Sequence, residues 1–124
     1  MATYTIPKLN PNECTTHEWY APTVLHTHTD WEFTTLTEGT GENVVNGVAY
    51  PASYGTFLLL GPKHLHQQNA QGKMVRRDIC VSDYNFKKFC DELKSGLYEQ
   101  LCEQETPIQI TLPIGSYKAL VSRL

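Results

Sequence analysis

A chain of 124 residues has a single-domain length, enough to bury roughly two-thirds of the surface its unfolded form exposes. Hydrophobic residues make up 40% and charged residues 19%, and 10 Lys and Arg stand against 13 Asp and Glu for a net charge of -3. That balance excludes disorder and collagen-like repeats and leaves no basic surface for a phosphate backbone, so this chain is expected to make no nucleic-acid contact. The longest apolar run, Phe57 to Leu60, falls far short of the ~20 residues of a membrane span, and no leader peptide is visible. No membrane partner and a cytoplasmic location are therefore expected. Cys14, Cys80, Cys90 and Cys102 include no CxxC pair and read as free thiols in a reducing compartment.

From Thr3 to Val81 short β-rich runs alternate with turn residues, the spacing of a sandwich or small barrel. Trp31 to Thr37, rich in aromatic and β-branched residues, predicts a strand that closes at Glu38-Gly39-Thr40-Gly41. The clearest hairpin joins Glu42–Val45 to Val48–Tyr50, because Asn46-Gly47 accepts the positive φ angles of a type I′ turn. Pro51 is expected to end its second strand. Thr56 to Leu60 reads as a buried strand and Met74 to Val81 as another, ending at Ser82-Asp83, where either side chain can cap a helix.

The period then changes. Phe86, Phe89, Cys90, Leu93 and Leu97 recur at three and four residues, predicting an amphipathic helix broken near Ser95-Gly96. A short helix is expected from Leu97 to Glu103, followed beyond Thr106-Pro107 by an apolar alternation at Ile108, Ile110 and Leu112. Ile114, Tyr117, Leu120, Val121 and Leu124 form a last helical stripe, apolar to the final residue and without a stop signal. That helix is expected to be cut short, and its apolar face to make a homodimer.

His26, His28 and Glu32 share even parity, so on one continuous strand they point to one side; a bulge at Thr29-Asp30 would change this. His64 and His66 share a face in the same way. The imidazoles of His26, His28 and His66 with the Glu32 carboxylate are suitable ligands for one divalent transition metal, Zn²⁺, Ni²⁺, Mn²⁺ or Fe²⁺. The competing reading has the same side chains hydrogen-bonded to one another or to a ligand hydroxyl, with no metal. Of the aromatic residues in the β region, Trp19 and Tyr54 are candidate effector contacts, since aromatic faces stack on sugar rings. Arg76 and Arg77 face opposite ways on a strand, so at most one meets the interior, where it could face an anionic group; an ion pair with Asp78 or Asp83 is the expected role.

These residues coincide with a known signature. His26-Thr27-His28-Thr29-Asp30-Trp31-Glu32, followed by six residues and Gly39, matches the first cupin motif, and Gly55 through His66 resembles the second, with His66 eleven residues after Gly55. Tyr20 stands where the first motif opens with glycine, and Thr56, Gly61 and Lys63 replace the second motif's Asp, Pro and Gly. Motifs of this form resemble the N-terminal sensor domains of AraC-family transcription regulators, here with the strand ending Glu32-Phe33. The resemblance continues through Arg76-Arg77-Asp78-Ile79, the Phe86-to-Leu93 helix and Leu112-Pro113-Ile114, and is similar in particular to chitobiose-operon regulators.

The resemblance implies a mainly β fold, a cupin double-stranded β-helix over residues 1–81, with residues 82–124 as a helical extension that dimerises and relays, followed in whole regulators by a DNA-binding region. It also implies a non-enzymatic domain that binds a small effector, a sugar or related metabolite, at His26, His28, Glu32, His66, Trp19 and Tyr54. The rival reading is a free-standing cupin metalloenzyme of dioxygenase or isomerase type using the same four ligands. It gives no reason for the helical tail.

Overall fold

The computed structural model describes residues 4–6, 13–20 and 23–124. In chain order its elements are β1 (Tyr4–Ile6), β2 (Cys14–Trp19), β3 (His26–His28), β4 (Trp31–Glu38), β5 (Gly41–Val45), β6 (Val48–Ala52), β7 (Thr56–Leu60), β8 (His66–Ala70), β9 (Val75–Val81), α1 (Asp83–Leu93), α2 (Leu97–Glu103), β10 (Ile108–Thr111) and α3 (Ile114–Val121). The fold is mainly β, a cupin-like barrel followed by helices, as the sequence motifs imply. One sheet runs β1-β3-β8-β5-β6 and the other β10-β7-β4-β9-β2. Past residue 81 the chain is not only helical, for β10 pairs with β7 and extends the second sheet.

Local chemistry accounts for the turns. Asn46 and Gly47 have φ of 48° and 83°, the pair of positive angles a type I′ turn demands. Asn46 does more than turn the chain: its amide donates to the carbonyls of Lys63 and Glu105, and its Oδ1 accepts from the Leu65 N–H. The hairpin tip thereby clamps the connection between β7 and β8. Pro51 does not end the hairpin's second strand but sits within β6, opposite Glu42. β6 is an edge strand with one neighbour, so a missing N–H on its open side breaks no ladder. Ser82 caps α1 by accepting the Asn85 N–H at 3.1 Å.

β4 is the hinge of the architecture. Its residues alternate between two buried faces: Glu32, Thr34 and Leu36 face the barrel interior, and Trp31, Phe33 and Thr35 face the helices. On the helical side Trp31 stacks on Phe86 of α1, with ring centroids 4.1 Å apart and 15° between planes, in a cluster with Leu59 and Cys90. The Trp31 indole N–H and the Tyr98 hydroxyl of α2 both donate to Asp83 Oδ1, at 3.0 and 2.6 Å. Gly61 makes this packing possible, because a Cβ there would lie 2.5 Å from the Trp31 ring.

Two expectations for the last helix need correction. It ends at Val121 rather than running to Leu124. Its stripe is also divided, because Tyr117 is fully buried against its own barrel, its hydroxyl 2.8 Å from Thr35 Oγ1 and donating to the Leu36 carbonyl at 2.9 Å. Tyr117 is therefore not available to a second copy, whereas Ile114 and Leu120 remain exposed, and Val121 and Leu124 are half-buried. The aromatic edge of Tyr54 lies against Tyr117, ring centroids 4.5 Å apart, which places Tyr54 beside α3 and not among the histidines. The four cysteines are free, and among the described residues no helix is long and apolar enough to cross a membrane.

Candidate metal and effector site

His26 to Glu32 do not form one continuous strand, and the break falls at Thr29-Asp30, where the sequence allows a bulge. The chain bends at Thr29-Asp30, so that β3 lies in one sheet and β4 in the other. The parity expectation nonetheless reaches the right result, because the corner folds Glu32 back over His28: its Oε1 lies 3.6 Å from His28 Nε2, close for an ion pair and too long for a good hydrogen bond. His26 pairs across the first sheet with His66 of β8. The rings of His26 and His28 lie 4.1 and 5.0 Å from that of His66, and one nitrogen from each of the three falls within 4.8 Å of the others.

The tautomers follow from the backbone. Nδ1 of His26, His28 and His66 lies 2.6, 2.7 and 2.7 Å from the carbonyls of Val24, Asp30 and His64. A carbonyl only accepts, so each Nδ1 carries the proton, and in the neutral ring Nε2 is a lone pair. Nε2 of His28 and of His66 are buried with no hydrogen-bond partner. Converging imidazole lone pairs, each oriented by a carbonyl behind it, with a carboxylate alongside, are the donor set of a divalent transition-metal site. The residues fit such an ion.

Burial and the Glu32 carboxylate set the titration of these groups in opposite directions. Burial pushes His28 down, but Glu32 beside it outweighs burial and holds the imidazole above its ordinary value. Burial pushes Glu32 up, yet its interactions with His28, His66 and Arg76 hold the carboxyl below the carboxylate range. His66 is driven down to about 4 by burial. A histidine with a lowered folded value is protonated more readily when unfolded, so His66 stabilises the fold above pH 6.5 and that contribution is lost as pH falls from 6.5 to about 4. Asp78, pushed up to about 7 by burial and by the charge of Glu32, acts with the opposite sign over the overlapping window from 3.8. The check is therefore a difference. Denaturation of the parent and of His66→Gln from pH 7 to pH 4 should show the parent losing about 3 kcal/mol more than the variant, from a drop of 6.5 to about 4; equal pH slopes would show that His66 titrates normally.

His64 does not share the face of His66. It lies in the loop before β8, where its Nδ1 accepts the Gly61 N–H at 2.8 Å and its Nε2 donates to the Gln104 carbonyl at 3.0 Å, a tie between barrel and α2. Trp19 lies on β2 opposite Arg76, with the guanidinium 5.7 Å from its ring centroid. Thus His26, His28, Glu32 and His66 come together, Trp19 stands nearer the rim over Arg76, and Tyr54 is elsewhere.

Of the other polar residues of the interior, sequence reading missed Gln68 and Thr34, while the expected ion pair of Arg76 with Asp78 does form. Gln68 follows His66 on the same face of β8 and donates to Asn43 Oδ1 at 3.2 Å. Thr34 donates to Asp78 Oδ1 at 2.7 Å, and Asp78 pairs with Arg76 at 3.3 Å. The signal was the period of two: Gln68 has the parity of His66, and Arg76 and Asp78 share a parity on β9.

No family model and no curated protein matches the sequence. Solved structures do match in fold. An apo form of a ToxT variant from Vibrio cholerae superposes with a TM-score of 0.65 at 10% identity, covering 94% of this chain and 48% of that one. Wild-type ToxT from Vibrio cholerae bound to an unsaturated fatty acid gives a TM-score of 0.62 at 10% identity, over 92% of this chain and 46% of that one. ToxT bound to a methylnaphthalenyl butenoic acid gives 0.61 at 10% identity, over 90% and 46%. The chain thus spans about half the length of the ToxT chains it resembles.

Proposed function

We propose that this chain is the effector-sensing domain of an AraC-type transcription regulator, which takes a small molecule into the barrel and passes its occupancy to the helices. The observation that carries this reading is the double role of β4. Its inward residues, Glu32 and Thr34, belong to the polar site, while its outward residues, Trp31 and Thr35, seat α1, α2 and α3 through the Asp83 and Tyr117 contacts. A ligand that shifts β4 therefore shifts the seat of all three helices, and a coupling of 1–3 kcal/mol is typical of such domains. The cupin and AraC-type motifs support this reading. So does the likeness to ToxT, an AraC-family regulator whose solved forms include one with a fatty acid bound. The finer resemblance to chitobiose-operon regulators favours a sugar-derived effector. His26, His28, His66 and Glu32 would hold one Zn²⁺, Ni²⁺, Mn²⁺ or Fe²⁺ ion, which supplies a Lewis-acidic anchor in the pocket. Exposed Ile114 and Leu120 would contribute to a homodimer, and DNA would be bound by a region outside this chain.

The converging Nε2 lone pairs equally suit a cupin metalloenzyme, and one experiment separates the readings. The chain, as purified and after loading with Zn²⁺ or Ni²⁺, is screened by thermal shift against sugars and metabolites, and each hit is recovered and analysed. A sensor yields a hit that raises Tm and returns intact, with Glu32→Gln and His66→Gln folded but binding more weakly. A hit returned as product establishes the enzyme. No stabilisation by any compound rejects both.

A further inference from the structure

Among the described residues, Arg76 is a buried charge with one donor left unpartnered. It faces the interior from β9, between Leu36 of β4 and Trp19 of β2, and is 8% exposed. Its Nη1 lies 3.3 Å from Asp78 Oδ2, and its Nε is buried with no hydrogen-bond partner. An arginine carries a fixed charge and donors only, so a buried Nε–H needs an acceptor. Trp19 lies over the guanidinium and offers it the π face of its ring but no lone-pair acceptor.

Asp78 is an incomplete counter-ion. One of its oxygens already takes the Thr34 hydroxyl, and the other meets Arg76 only through Nη1, at 3.3 Å. Glu32 attracts Arg76 across the interior but makes its close contact with His28, and no hydrogen bond joins it to the guanidinium. Across the interior on β8, Gln68 has the opposite need. Its amide nitrogen donates to Asn43, and its Oε1 is buried without a donor.

We infer that Arg76 receives a carboxylate of the effector while Gln68 accepts one of its hydroxyls, so that the effector is a small hydroxylated carboxylic acid, such as a sugar acid, and not a neutral sugar. This rests on the sensor reading and narrows it. A charge-assisted hydrogen bond from a guanidinium to a carboxylate is about twice as strong as a neutral one. A carboxylate also gives the buried Nε–H the acceptor it lacks. The hydroxyl requirement separates the ligand from a plain fatty acid, which has no donor to offer Gln68.

The test uses matched pairs on the unmodified chain, by calorimetry: glucuronate against glucose, malate against malamide, lactate against lactamide, and octanoate as an acid without a hydroxyl. At least one hydroxy acid should bind, with its neutral partner and octanoate weaker by about tenfold or more. Arg76→Gln should remove that advantage. The double variant Arg76→Met with Asp78→Asn, which deletes the ion pair as a unit, should do the same if the single variant folds poorly. Equal binding of acid and neutral partner, or acid binding undiminished in the variants, overturns the inference. A neutral sugar that binds while every acid fails also overturns it and leaves the sensor reading standing. Failure of every compound, charged and neutral, in this panel and in the wider screen rejects the sensor reading as well.

Discussion

Replacing Trp31 with alanine should destabilise the chain by about 3–5 kcal/mol, the range for removing a large buried aromatic. Trp31 is 1% exposed, stacked on Phe86, and in contact with Gly61 across the turn after β7. Because Gly61 offers no side chain to refill the space, the cavity would stay open, which places the cost toward the upper end. Its indole N–H and the Tyr98 hydroxyl share Asp83 Oδ1, so the loss also frees α2 from α1. Denaturant titration gives the total, and hydrogen exchange should show α1 and α2 amides losing protection before those of β5 and β8. Trp31→Phe separates the contributions: it keeps a ring against Phe86 and loses the bond to Asp83, so it should cost markedly less. A loss under about 1 kcal/mol for Trp31→Ala would show that the helices are held by other contacts.

The second large effect concerns metal affinity. Changing any one of His26, His28 or His66 to glutamine should weaken Zn²⁺ or Ni²⁺ binding by about a hundredfold or more, since structural zinc sites divide roughly 10–16 kcal/mol among four ligands. The orienting groups are the carbonyls of Val24, Asp30 and His64, which side-chain substitution leaves in place, so the remaining ligands stay aimed and the loss reports the missing donor. His64→Gln is the control, because that ring is turned to Gly61 and Gln104 and its replacement should change affinity by less than a few-fold. Competition against a chromophoric chelator measures all four variants. Equal affinity in the three ligand variants and the parent would place the ion elsewhere.

The convergence of these side chains is largely legible in the sequence, and the reasons differ from residue to residue. His26 and His28 were readable as one inward face because a strand has a period of two whatever it pairs with. For Glu32 the parity argument holds only on a continuous strand; the chain changes sheets at Thr29-Asp30, the position where the sequence allows a bulge, and the corner nonetheless brings Glu32 to His28. His64 failed under the same rule, because the rule holds only inside a strand and His64 lies before β8 begins. Tyr54, expected at the effector, and Tyr117, expected on a dimer face, both lie elsewhere because an aromatic residue is equally at home in a pocket, at an interface and in a seam between layers. Only the packing of α3 onto β4 made the seam their place.

What the amino-acid order determined by itself is local. Asn46-Gly47 dictates its turn through φ, Ser82 starts α1 by capping a free N–H, Gly96 with φ of 85° separates the two helices, and the change of apolar period marks the end of the barrel strands. The tertiary structure decided which faces met. It put Arg76 inward beside Asp78 and left its Nε without an acceptor, buried Gln68 on the other sheet, and gave β4 two buried faces, one for the site and one for the helices. The physical reason is range: turn and cap energies act within a few residues, whereas burial, desolvation and the pairing of charges depend on neighbours brought in from 40 or more positions away, as with Thr34 and Asp78.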